Sequence, residues 1–221
     1  MIYYDDPQNK RKLYTLENFH RNLERKFKFG VSIFDCDEAV KDASAFFGIS
    51  IPNIIKDLTD EVDGATYVRL GNRGSMADDE LSYSLKQLFD MEITGKEALS
   101  LIITHEFSHR VLQDTHFPGL NDGSWEQELC CDFFMGIRAS LDKMSIEALN
   151  AVRNGLGKSS GSDTHPTGHL RYEVISHGYM IGNFDLIQHR HRSFNEYMNY
   201  YWEWLQKNAQ IIRQDQIRIL C

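Results

Sequence analysis

Two histidines four residues apart, with a glutamate beside the first, constrain this chain more than any other feature: His105-Glu106-Phe107-Ser108-His109. The pair lies in a run from about Lys96 to Gln113 in which Leu99, Ile102, Ile103 and Phe107 recur at helical spacing. On a helix, residues four apart share a face, so both imidazoles can reach one ion. Glu106 projects beside that face and can reach a bound water without becoming a ligand. Thr94 and Glu97 supply a capping box for the start of the helix. On an apolar, well-capped helix, two imidazoles would be awkward core residues without a partner. The stretch therefore predicts a buried helix that carries part of a metal site.

A zinc site that performs chemistry takes three protein ligands and leaves one position for water. The extended pattern with a third histidine fails here. Leu112 and Thr115 stand where Gly and His are required, and His116 is one residue late. The next helix, capped by Ser124 and running from Trp125 to about Leu141, offers Glu128 and Asp132, again four apart. Leu129, Phe133, Phe134 and Ile137 around them mark a buried helix, where carboxylates need partners. Glu126 is the competing ligand, on a different face from Asp132. A third piece is Ser162-Asp163-Thr164-His165-Pro166-Thr167-Gly168-His169-Leu170-Arg171. Asp163 or Thr164 can cap a helix that Pro166 begins, holding His165 at the turn and Arg171 further along.

The Glu128 and Asp132 spacing resembles the ExxxD signature of the gluzincin zinc peptidases. Thr164-His165-Pro166 followed by Arg171 resembles the segment that follows the ligands in HtpX-type peptidases. The matching pieces lie within residues 96 to 171. The resemblance implies Zn2+ held by His105, His109 and Glu128, with Glu106 as general base. It implies that Asp132 takes the N–H of the His105 imidazole, fixing its tautomer. His165 or Arg171 would steady the oxyanion, the competing role for Arg171 being to buttress Asp132 or Glu128. His169 is the weaker candidate. The small Cys131 fits a position where two helices pack. The activity implied is a zinc-dependent endopeptidase with a protein or peptide substrate. HtpX-type enzymes carry transmembrane helices, and no stretch here approaches that length of apolar residues. The reading is therefore a cytoplasmic protein with no membrane partner, more weakly similar to the Lit-like phage-exclusion peptidases, which are directed at a specific host protein. An inhibitory or activating protein partner is part of that expectation.

The expected fold is zincin-like α+β, with helices in the majority and a small sheet. Helices are predicted over 7–29 and over 37–47, the second capped by Asp35 or Asp37 and stopped by Gly48. A strand is predicted over 65–70, residues 81–89 fit strand or helix, 154–163 read as a loop, and the aromatic tail 194–220 reads as a helix. An edge from 65–70 or 81–85 would line the cleft and pair with an extended substrate. One domain over 1–221 is expected, with an N-terminal helical part (1–60), a catalytic core (61–180) and a helical tail (181–221). A net charge of −8 argues against nucleic acid as a partner. The N-terminus lacks the basic start and apolar run of a secretory signal. Cys36, Cys130, Cys131 and Cys221 form no spaced framework and read as reduced, buried thiols. Gly157-Lys158-Ser159 lacks the earlier glycine of a phosphate loop, and His189-Arg190-His191-Arg192 reads as a solvated turn. Two other classes remain open: a catalytically silent, zinc-binding regulatory protein, and a helical interaction module whose motifs are coincidental.

Overall fold

The computed structural model describes residues 33–49, 53–57, 65–68, 80–84, 88, 90–93, 95–115, 120–121 and 123–220, and the statements below concern these. Six helices follow in order: α1 (Ile33–Phe47), α2 (Lys96–Thr115), α3 (Trp125–Leu141), α4 (Ile146–Gly157), α5 (Gly168–Ile187) and α6 (Phe194–Leu220). Between α1 and α2 run three short strands, β1 (Asn53–Asp57), β2 (Ala65–Val68) and β3 (Glu80–Ser84). β3 lies between the other two, parallel to β1 and antiparallel to β2.

The expected α+β class does not hold: the architecture is helical, with helix packed on helix. The reason lies in where the apolar side chains go. Leu81 of β3 joins the core, and nearly all the rest of the described core comes from the helices. The helix expected over 37–47 starts earlier, at Ile33, so Asp35 and Asp37 lie within it and do not cap it. Gly48, at φ 66, closes it as expected. The reading of 154–163 as a loop missed α4, which runs through Gly155 to Gly157. The segment 7–29 and His116 lie outside the described residues.

α3 is the central element. Ser124 caps it by accepting from the Gln127 backbone N–H at 3.2 Å, and the Gln127 side chain accepts from the Gly123 N–H at 3.1 Å. All but two of its residues, Glu126 and Leu141, are buried, as expected of a helix with apolar residues on every side. One apolar cluster joins α1, α2 and α4 to Met135 and Ala139 of α3. A second joins the opposite side of α3 to α5 and α6, through Phe133, Phe134, Val174, Met198 and Tyr201.

Arg138, 1% exposed, ties α3 to α2. It donates to the Thr104 hydroxyl at 2.6 Å and the Ser100 carbonyl at 3.3 Å, and pairs with Asp142 at 3.0 Å. On the other side α3 and α5 approach backbone to backbone. A Cβ on Gly136 would stand 2.1 Å from the Ile175 carbonyl oxygen, and one on Gly178 would stand 2.1 Å from that of Phe133. Glycine is required at both positions, and this close approach sets the depth at which α5 meets α3. Among the described residues no helix is long and apolar enough to cross a membrane.

Candidate metal centre

α2 presents His105 and His109 on its face toward α3, as the i, i+4 spacing predicts. Their Nε2 atoms stand 3.2 Å apart. Glu128, in the first turn of α3, lies opposite. Its Oε2 is 3.2 Å from His105 Nε2 and its Oε1 is 3.2 Å from His109 Nε2. Three heteroatom groups from two helices thus converge on one small volume, and all three residues are largely buried.

The protonation of His105 follows from its other nitrogen. Nδ1 lies 2.9 Å from Asp132 Oδ1, so it carries the proton and donates. In the neutral imidazole, Nε2 is then a lone pair facing a second imidazole and a carboxylate. Glu128 Oε2 is itself buried without a hydrogen-bond partner. Lone pairs gathered in this way repel unless a cation or an extra proton joins them. Ligands about 2.0–2.1 Å from a tetrahedral ion stand about 3.3–3.4 Å apart, close to the three separations found here. The donor set therefore fits a cation. Without one, burial pushes the His105 pKa down, but Asp132 and Glu128 outweigh it and raise it to about 10. Glu128 responds in the opposite direction: burial opposes its charge, and the His105 and His109 imidazoles facing it hold it well below the usual carboxylate range.

Asp132, fully buried, is held by Arg171. The guanidinium grips it twice, Nε to Oδ2 at 2.7 Å and Nη2 to Oδ1 at 2.9 Å. Burial would raise the Asp132 pKa, and the Arg171 charge with its hydrogen bonds lowers it. A chain of contacts therefore runs from Arg171 through Asp132 to His105 Nδ1. It crosses α5, α3 and α2, and it depends on the glycine contacts that bring α5 against α3. Of the two roles open to Arg171, its Nε and Nη2 are engaged in buttressing Asp132.

His165 comes from the loop between α4 and α5. Its Nε2 lies 3.8 Å from Glu128 Oε2, and its side chain is half exposed. Its Nδ1 is 2.9 Å from the Thr164 hydroxyl; donation by that hydroxyl leaves Nε2–H directed at the site. The loop is fixed by bonds that the sequence did not advertise. The Ser162 hydroxyl accepts from the His165 N–H at 3.0 Å, the Trp125 indole donates to the Ser162 carbonyl at 2.9 Å, and the Gly168 N–H donates to the Ser159 carbonyl at 2.8 Å. α5 starts later than Pro166. Its cap position is Thr167, whose hydroxyl donates to Asp215 at 2.7 Å, so neither Asp163 nor Thr164 is the cap.

Glu106, largely buried, lines a cavity of about 410 Å³ together with His105, His165 and Arg171. One part of the wall is apolar, from Leu88, Met91, Ile102 and Leu156 of α4, and another is polar, from Lys158, Ser159 and Ser162. The expected strand edge has its side chains outside the described residues, Leu81 apart; the described wall of the cavity continues into α4 and the loop after it. His169 is exposed and is not among the lining residues. Glu126 is only partly buried, and its backbone carbonyl accepts from the Tyr201 hydroxyl.

Cys131 adds a donor not foreseen as such. Its Sγ lies within 4.8 Å of ligand atoms of His105 and His109, and this buried group could hold a metal ion. Both Cys130 and Cys131 are free, buried thiols, as expected. Burial pushes their pKa well up, and for Cys131 the charges of Glu128 and Asp132 add to this. No protein-family model, no curated protein and no solved structure matches this chain.

Proposed function

We propose that the chain is a zinc-dependent endopeptidase in which His105, His109 and Glu128 hold the ion. The observation that carries this reading is the convergence of the two Nε2 atoms and the Glu128 carboxylate at mutual separations of 3.2 Å, beside a cavity lined by Glu106. Zinc so held supplies an acidified water and a Lewis acid for the scissile carbonyl. Glu106 lies next to His105 at the cavity wall, where its carboxylate takes the proton from the attacking water and delivers it to the leaving amine. His165, with Nε2–H facing inward, donates to the oxyanion that develops on the carbonyl oxygen. Arg171 acts at one remove: it holds Asp132, which holds the His105 ring in the tautomer that leaves Nε2 free. The apolar wall of Leu88, Met91 and Ile102 excludes water and receives a substrate side chain.

A second reading is favoured by one specific observation. Cys131 beside the two histidines would complete a closed donor set, of the kind used to hold structure rather than to perform chemistry. Metal content separates the two. Under the peptidase reading Glu128→Ala loses zinc, while Cys131→Ser keeps about one zinc per chain. The reverse result would mean a structural site. Glu106→Gln then tests the chemistry: it should retain zinc and lose turnover of a protein substrate by at least about a hundredfold. Undiminished cleavage by that variant would refute the assignment of Glu106.

A further inference from the structure

A second cavity, of about 620 Å³, shares no lining residue with the first. It opens further along α2, at Val111 and Thr115, between the end of α1 and the turn that joins α5 to α6. Its interior is aromatic. Phe134 stacks on Phe194 with ring centres 4.8 Å apart and planes inclined by 3°, and Phe47 meets Phe134 edge-on at 6.1 Å. The volume is that of a small-molecule site and is far more than a single side chain needs.

The mouth has a definite charge. Arg190, His191 and Arg192 lie there in sequence, and none of the described lining residues is acidic, in a chain with 32 Asp and Glu against 24 Lys and Arg. The turn that places them is closed tightly. His189 takes a φ of 51, and the Arg190 N–H donates to the Asp185 carbonyl at 2.9 Å. Arg192 is anchored by the fully buried Asp185 at 2.6 Å, with its guanidinium over the Tyr200 ring. Asp185 offsets much of that charge. Arg190 and His191 are the exposed cation and donor at the opening, with the Arg190 guanidinium 5.4 Å from the Phe184 ring centre. The run that reads as a solvated turn in the sequence therefore forms the rim of an aromatic cavity.

We propose that this cavity binds a small amphiphilic carboxylate, its alkyl or aryl body against Phe47, Phe134 and Phe194 and its carboxylate at Arg190 and His191. Anionic charge is selected because the rim offers Arg190 and His191 in the open, and an apolar body because the interior offers aromatic faces. The occupant is a free small molecule, since the volume matches one and the opening lies beyond the metal centre along α2. This inference stands independently of the peptidase reading.

The test is titration calorimetry of the full chain with decanoate, kept below its micellar concentration. Decyltrimethylammonium serves as the probe of equal chain length and opposite charge, and an acetylated peptide ending in a Phe carboxylate as the macromolecular alternative. Decanoate is expected to bind with one-to-one stoichiometry. Arg190→Glu should weaken it by about tenfold or more. Thr115→Trp, a substitution at an exposed position that fills the cavity, should abolish it. Both variants should keep the zinc content of the parent. Equal binding of the ammonium probe, indifference to Arg190→Glu, or binding of the peptide alone would each overturn the proposal.

Discussion

At the scale of single residues, the site is organised by which atoms are already engaged. His105 has two nitrogens and only one is available, because Asp132 takes the other at 2.9 Å. Asp132 is in turn committed to Arg171 through two bonds. Asp132→Asn keeps the shape and one acceptor but removes the charge that orients the imidazole. It is expected to weaken zinc binding by about 10–100-fold, measured by competition with a chelator of known affinity. Unchanged affinity would show that the ring is held by packing alone. Arg171→Met is the harsher change, since it strands a buried carboxylate and should cost about 3–5 kcal/mol of stability.

At the scale of elements, the decisive contact is α3 against α5. Gly136 and Gly178 let the two backbones meet, and that depth puts Arg171 within reach of Asp132. A methyl group at Gly178 would meet a carbonyl oxygen at 2.1 Å, and no flexible side chain is there to yield. Gly178→Ala should therefore destabilise the protein by roughly 1–3 kcal/mol or more, seen as a lower denaturant midpoint. Because the helix must shift outward, the same variant should also bind zinc more weakly. Loss of stability with intact zinc affinity would uncouple the helix contact from the site. Gly182 repeats the motif one turn later, where a Cβ would stand 2.8 Å from the Ile137 carbonyl. On the other side, α4 owes its position to Ser145. That residue caps α4 by accepting from the Ala148 N–H, while its own N–H donates to Glu97 at the start of α2.

For the whole molecule, the stability of the metal-free form and the increment that a bound metal adds should respond to pH in opposite directions. In the metal-free chain the His105 pKa is raised from 6.5 to about 10. Its contribution to stability is complete below about 6.5 and is lost as pH rises through about 10. Under the proposed reading zinc needs the Nε2 lone pairs of both histidines, so its binding should release protons and strengthen as pH rises. Thermal unfolding between pH 6.5 and 9.5 should then show the metal-free melting temperature falling while the increment from excess zinc grows. Parallel curves for the two forms would contradict a shared proton and metal position at His105. Zinc at 100 times its dissociation constant should add about 2.7 kcal/mol to stability.

Much of the site was legible from local pattern. His105, Glu106 and His109 declare themselves because a helix repeats every 3.6 residues, and any helix puts positions four apart on one face. Glu128 and Asp132 share a face by the same rule on the next helix, while their roles beside the histidines were what the resemblance to the ExxxD signature implied. Caps such as Ser124 were equally readable, since a cap is a bond between neighbours in the chain. What could not be read was whatever depends on the distance between elements. The strand-forming alternation at 65–68 is real, yet the strands are only four and five residues long, and the helices supply nearly all of the described core. The glycines of α3 and α5 look like weak helix positions until another backbone is set against them. Cys131 is an ordinary small residue until two histidines arrive from 22 and 26 positions away in the chain. Arg190 and His191 look solvated until Phe134 and Phe194 close a cavity beneath them. Periodicity and capping act between neighbours along the chain and need no partner. Donor sets, close approaches and cavities arise between segments remote in sequence, so they exist only once the helices have packed.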